Sequence, residues 1–352
     1  MTYAALPAVP MNWPMFRLNP GRTGTLNAEP VRKVTGVKWQ FQAEAGFRSS
    51  PAVIEDLLFI GSLDGNLYAI DIKSGTLRWK FTTATGISSS PAIVRSFVLF
   101  GSGDGYFYAL DKNDGRLLWK FATGGEIWAS PVVLDDIVYC GSNDGNFYAL
   151  ELLSGERRWS FEAGHRIRSS AAVEAETVCF ATDGGDLFCL NTKSGKPCWK
   201  STTGGPVYSS PLIHDQTVVV GSFDFQVYAF DLNLGKTNWK FSTGLYINSS
   251  PAFSAGKIFV GSADGFLYAL RNHSGEQIWK FRTPWSIGAS PVVVGNWVYL
   301  SAFNGPLAAY DVDTGMVRMT ARVGGTVFSS PVISSGAVFT STSDGMLYAL
   351  GE

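Results

Sequence analysis

The chain has 352 residues and a formal net charge of −1, with 28 basic and 29 acidic side chains dispersed along it. That balance excludes the basic stripe of a nucleic-acid-binding surface, and no apolar run of about 18 residues is present to span a membrane as a helix. Hydrophobic residues make up 45% and aromatic residues 14%, ample for a packed core.

Residues 1–35 carry no repeat and are expected to pack as an extension on the repeat region. Their start, MTYAALPAVPMNWP, has neither the basic segment nor the apolar run of a secretory leader. The expected compartment is therefore the cytoplasm, or the periplasm if a leader has been removed. Next comes a strand-like stretch at 36–42, containing Trp39. From there a Ser-Pro dipeptide recurs every 40 residues without insertion or deletion: Ser50-Pro51, Ser90-Pro91, Ser130-Pro131, Ser170-Ala171, Ser210-Pro211, Ser250-Pro251, Ser290-Pro291 and Ser330-Pro331. A fixed period of this size marks a repeat architecture.

In the first copy, short apolar or alternating runs fall around 50–54, 57–62, 67–71 and 77–82. Glu55-Asp56, Asp64-Gly65 and Ser74-Gly75 separate them. Runs rich in Val, Ile, Phe and Tyr between such turns read as antiparallel strands joined by hairpins. Four strands per unit predict the blade of a propeller, and no helix is expected. The last copy ends at Leu350 without a fourth strand, whereas 36–42 has a fourth-strand sequence and no blade of its own. The prediction is an all-β, eight-bladed propeller of four-stranded antiparallel blades over 36–352, closed by 36–42 in the last blade.

The constant positions have structural roles. Asp64, Asp104, Asp144, Asp224, Asp264 and Asp344 lie in hairpins, where a carboxylate caps turn amides, so no metal site is assigned to them. Trp39, Trp79, Trp119, Trp159, Trp199, Trp239 and Trp279 recur in the fourth strand, where each is expected to bury area against a neighbouring unit. The accompanying Lys80, Lys120, Lys200, Lys240 and Lys280 suit an outer edge that must resist pairing with other molecules. Blade seven departs with Asn304, Ala308 and Met319 in place of Asp, Tyr and Trp, and residues 1–35 are a candidate shield for it. Cys140, Cys179, Cys189 and Cys198 show no C-x-x-C spacing and are read as small buried hydrophobes with free thiols, which fits a reducing compartment.

The pattern Ala69-x-Asp71-x-x-Ser74-Gly75-x-x-x-Trp79 resembles the tryptophan-docking motif of PQQ-type propellers, and Trp13 to Gly24 resembles their leading segment. The resemblance covers about residues 13–350 and implies their fold. That superfamily holds quinoprotein alcohol dehydrogenases, which bind pyrroloquinoline quinone and Ca²⁺, and non-catalytic scaffolds of the BamB type. The adjacent-cysteine disulfide that stacks on the quinone has no counterpart in this chain, and no lipobox is present. Neither PQQ nor Ca²⁺ is expected.

Used as a ruler, the period isolates one column of varied chemistry between constant neighbours, in the loop that enters each first strand. It reads Arg48, Ser88, Trp128, Arg168, Tyr208, Asn248, Gly288 and Phe328, flanked by Glu126, His165, Arg166, Tyr246 and Trp285. With eight blades, Arg48 and Arg168 stand about 135° apart around the mouth. Guanidiniums with aromatic walls suit an anion carrying a planar or elongated body. The reading is a binding or scaffolding propeller, a monomer, that takes a small anionic molecule or a protein or peptide at its central funnel. The residues expected to bind are Arg48, Trp128, Arg168, Tyr208, Asn248, Phe328, Arg166 and Trp285. The alternative is a cofactor-independent lyase, cyclase or isomerase for an anionic substrate, with Glu126 and His165 as acid–base pair and Tyr208 or Tyr246 as proton donors; a PQQ-dependent dehydrogenase ranks behind both. An enzyme calls for a deep funnel that gathers Glu126, His165 and Arg168, whereas a scaffold calls for a shallow mouth or a packed channel.

Overall fold

The computed structural model describes residues 12–352, so the first part of the expected 1–35 extension lies outside the described residues. Short strands and tight turns build everything else. In blade one the strands are Ala52–Ile54, Leu57–Gly61, Asn66–Asp71 and Leu77–Thr82, paired antiparallel in that order. Alternation puts the side chains of the second and third strands into the contacts between blades, and those strands are almost wholly buried. The same four-strand unit repeats around the ring. In blade eight the fourth strand is Gly36–Gln42, which lies antiparallel to Met346–Gly351, with Trp39 opposite Ala349. Both ends of the repeat region therefore latch one blade.

The tryptophans join blades as expected, by a specific device. Each indole covers the turn glycine of the next blade and donates Nε1–H to a carbonyl there, as Trp39 does to Gly75 and Ile72 O (2.9 Å), and Trp279 to Gly315 and Val312 O (3.1 Å). Gly75 has φ 73°, and a Cβ there would lie within 2.6 Å of the indole, so glycine is required twice over. Met319 is the exception because blade eight takes its fourth strand from Gly36–Gln42 and has no third-to-fourth turn for an indole to cover. The methionine is buried nonetheless, 8% exposed.

Two features were not expected from sequence. The Ser of each Ser-Pro motif accepts, through Oγ, the backbone N–H of the equivalent Ser in the preceding blade: Ser50 N to Ser90 Oγ, Ser90 N to Ser130 Oγ, and onward until Ser330 N returns to Ser50 Oγ. An unbroken girdle of eight such bonds circles the axis. On the other side of it, residues 13–26 curl inside the ring. Trp13, Pro14, Pro20, Gly21, Thr23 and Gly24 supply carbonyls to the inner-edge amides of Val53, Ile93, Val173, Ile213, Phe253 and Val293, so donors that would otherwise be unpaired are satisfied. Thr25–Leu26 then adds a parallel strand to blade seven against Val293–Val294.

The cysteine reading needs correction. Cys179 and Cys189 face each other across the second and third strands of blade four and form a disulfide, with Cα atoms 4.2 Å apart. Cys198 is exposed, and Cys140 alone is a buried free thiol, its pKa pushed up by burial. Hairpin register, rather than C-x-x-C spacing, creates the pair, since the same positions in blade one are the partners Phe59 and Ala69. The thiol argument for a reducing compartment therefore falls.

Candidate functional site

The loops entering the first strands are clamped on every side. In blade one, Leu63 N donates to Gly46 O, Phe47 is fully buried, and Ser49 Oγ accepts Gly61 N at 3.2 Å. Arg48 stands between these fixed neighbours, so its Cα is held while its side chain is free to face the axis. The backbone clamp and the buried apolar neighbour recur around the ring, and the serine bond recurs in six blades, with Ala129 and Ala289 standing in its place in blades three and seven. Arg48, Ser88, Trp128, Arg168, Tyr208, Asn248 and Phe328 thereby line one open cavity of about 380 Å³ at the mouth.

Trp128 is the centre of its chemistry. Arg168 places its guanidinium 4.4 Å from the Trp128 ring centroid, and Arg48 approaches the same ring at 5.9 Å. Arg168 also lies 5.4 Å from the Tyr208 ring. Contacts of this kind orient guanidiniums on aromatic faces while leaving their N–H groups to bind. Asp183 pairs with Arg168 (3.3 Å), whereas Arg48 has no carboxylate partner among the described residues. Burial raises the Asp183 pKa against the opposing pull of Arg168, Arg166 and His165.

The cup is closed beneath. Arg17 and Arg22, each 1% exposed, fill the axis behind the serine girdle. Arg22 donates to Ala171 O (2.7 Å), Ser130 O (2.9 Å), Pro131 O (3.1 Å) and Phe16 O (2.6 Å), and Arg17 donates to Pro251 O and Pro291 O. Burial lowers both guanidiniums to about 9, with Arg17 adding to the effect at Arg22, which still leaves them cationic at neutral pH. Among the described residues no acidic side chain pairs with either, so the axis carries uncompensated positive charge in a low-dielectric setting.

Other residues singled out in the sequence lie elsewhere. Arg166, His165, Glu126 and Tyr246 are exposed and do not line the cavity. Glu126 accepts from Asn143 Nδ2 at 3.2 Å and His165 packs over Gly184; no hydrogen bond or ion pair joins the two among the described residues. Trp285 lines a separate cavity between blades six and seven. Phe223 was missed: it meets Tyr208 edge-on (4.6 Å) and stacks on Tyr246 (4.6 Å), extending the aromatic wall outward. Phe303 does the same for Phe328 at 4.8 Å. With Asp183, these residues form a second variable column, one position before the hairpin residue that is Asp in six blades, which the same ruler would have exposed.

The lining does not fit the calcium half of a quinone site. Ca²⁺ takes six to eight oxygen donors, several of them carboxylates, whereas this mouth offers two guanidiniums and one carboxylate already paired with Arg168. Among the described residues no group of three or more His, Cys, Asp or Glu is placed to hold a metal.

Fold and repeat chemistry together define an eight-bladed β-propeller of four-stranded antiparallel blades. A family model described as "Beta-alanine-activating enzyme, beta-propeller" matches residues 94–350, and the chain belongs to that β-propeller family. No curated protein sequence matches it significantly. Similar solved structures include BamB from Moraxella catarrhalis (TM-score 0.79, 18% identity, 90% of this chain and 99% of that one). Also similar are a europium-containing methanol dehydrogenase (0.84, 14%, 97% and 98%) and the quinohemoprotein alcohol dehydrogenase of Comamonas testosteroni (0.84, 14%, 97% and 81%). At these identities the likeness is one of fold.

Proposed function

We propose that this protein is a binding propeller whose central mouth captures an anionic group, a carboxylate or phosphate, on a ligand or peptide with a planar or apolar body. The observation that carries this reading is Trp128 held between Arg48 and Arg168 in a shared, shallow cavity. The guanidiniums supply bidentate donors, while Trp128, Tyr208 and Phe328 supply apolar area. Buried Arg17 and Arg22 add attraction from behind, because charges in a low-dielectric axis are weakly screened. A channel packed with its own N-terminal arm, and Glu126 and His165 outside the cavity, favour binding over the acid–base alternative.

Native mass spectrometry of freshly purified protein, followed by calorimetric titration with citrate, pyrophosphate and an acidic peptide, tests this. At least one anion should bind and lose affinity in an Arg48→Ala/Arg168→Ala variant that melts near the parent temperature. Undiminished binding in that variant, or no binding of any of the three probes by the parent, would sink the idea.

A further inference from the structure

Blade seven lacks a pairing that five other blades keep. In five blades the third-strand tyrosine donates its hydroxyl to the hairpin aspartate four residues earlier, at 2.5–2.9 Å, as Tyr68 does to Asp64 and Tyr268 to Asp264. The tyrosine ring also plugs the junction with the preceding blade, where Phe41 meets Tyr68 at 5.1 Å and Phe241 meets Tyr268 at 5.3 Å. Blade four drops the polar partners together, Gly184 with Phe188, and keeps the ring. Blade seven has Asn304 and Ala308 at these positions and drops the ring itself.

A neighbouring ring takes up only part of the space. Phe281 meets Tyr310 instead (4.9 Å), and beside them lies a slot of about 200 Å³ lined also by Trp285, Leu300, Pro306 and Ala308. A second, open cavity containing Asn304 and Arg322 shares Trp285, Pro306 and Thr320 with it. Arg322 is exposed and makes no ion pair among the described residues. Dry apolar cavities of about 150 Å³ accept benzene, so this slot has room for one aromatic ring.

We propose that the junction of blades six and seven binds a small monocyclic aromatic molecule with an anionic tail. The ring takes the place of the side chain missing at Ala308, and the tail reaches Arg322. This site is separate from the mouth, and neither reading depends on the other.

Calorimetry with 4-hydroxyphenylacetate and with p-cresol on the full chain tests the assignment. Both should bind the parent protein, and p-cresol, which carries no anionic group for the mouth, should bind the Arg48→Ala/Arg168→Ala variant equally well. Ala308→Phe should weaken both by roughly tenfold or more, because the added ring occupies the slot. Ala308→Val should do so in part, which keeps the test open if Ala308→Phe does not fold. Arg322→Gln should weaken only the acid, by about threefold, as suits an exposed charge pair. Failure of the parent to bind either compound, or parent-like binding by both Ala308 variants, would overturn the site. Equal loss of both compounds in Arg322→Gln would overturn the role given to the tail.

Discussion

Ser330 donates its backbone N–H to Ser50 Oγ at 2.9 Å across 280 positions of sequence, and that bond completes the girdle that every other blade joins from its neighbour. It links blade eight to blade one on the inner side, while Gly36–Gln42 latches blade eight on the outer side. The ring is thus closed at two radii.

Ser50→Ala should leave the buried Ser330 amide without an acceptor and cost about 1–3 kcal/mol, the range for an unsatisfied buried donor. Ser88→Ala, on the rim of the mouth, should change stability little. Urea denaturation of the two variants measures the contrast, and equal effects would contradict the role given to the girdle.

Arg22→Lys keeps the charge but loses the planar fork that reaches four carbonyls at once. A loss of about 2 kcal/mol is expected. Hydrogen exchange should quicken at the amides of Val173, Ile213 and Phe253, which donate to the arm that Arg22 anchors. Unchanged protection at those amides would show that the arm holds without the fork.

Trp279→Met should cost about 2 kcal/mol, since it removes an indole that covers Gly315 and donates to Val312 O. The converse change, Met319→Trp, should bring no gain, because blade eight has no turn for the indole to cover. Thermal unfolding of both variants settles whether the docking turn, rather than aromatic area alone, gives the tryptophan its value.

Two turn aspartates set an acid limit. At Asp71 the hydrogen bond from Arg78 (2.6 Å), followed by those from Ser74 and Lys73, holds the carboxyl well below the usual range. At Asp311 burial pushes upward, but Arg318 (2.7 Å) and the Thr314 and Asp313 donors outweigh it and hold the group at about 2. Both folded values lie below the unfolded value of about 4. Their stabilising contribution is therefore complete above that pH and is lost as pH falls towards 2. Urea midpoints should drop between roughly pH 5 and pH 2, and less steeply in an Asp71→Asn/Asp311→Asn variant. An unchanged slope would contradict the assignment.

Much of this was legible in the residues because a propeller is locally encoded. Asp64-Gly65 and Ser74-Gly75 fix two hairpins, alternation fixes which faces are buried, and repetition makes one blade stand for eight. The column Arg48, Trp128, Arg168 and Tyr208 was legible for the same reason: each residue sits beside a constant buried one, so variation there had no packing role to explain it. Trp285 shows where this stops. It flanks that column in sequence, but the vacancy at Ala308 opens a separate cavity beside it, and no local pattern records which empty space a side chain borders.

By itself the sequence determined the number of blades, the strand pattern within each, and the closure by 36–42, since all of these follow from turn chemistry and a period of 40 residues. Tertiary structure alone decided what fills the axis and where the cysteines stand. Arg17 and Arg22 are ordinary surface residue types until the inner edges of six first strands demand carbonyl partners and draw the arm inward. Cys179 and Cys189 become a disulfide only when the hairpin of blade four sets them opposite each other. Those outcomes depend on groups brought together from distant positions, whose unpaired donors and facing side chains exist only once the ring has closed.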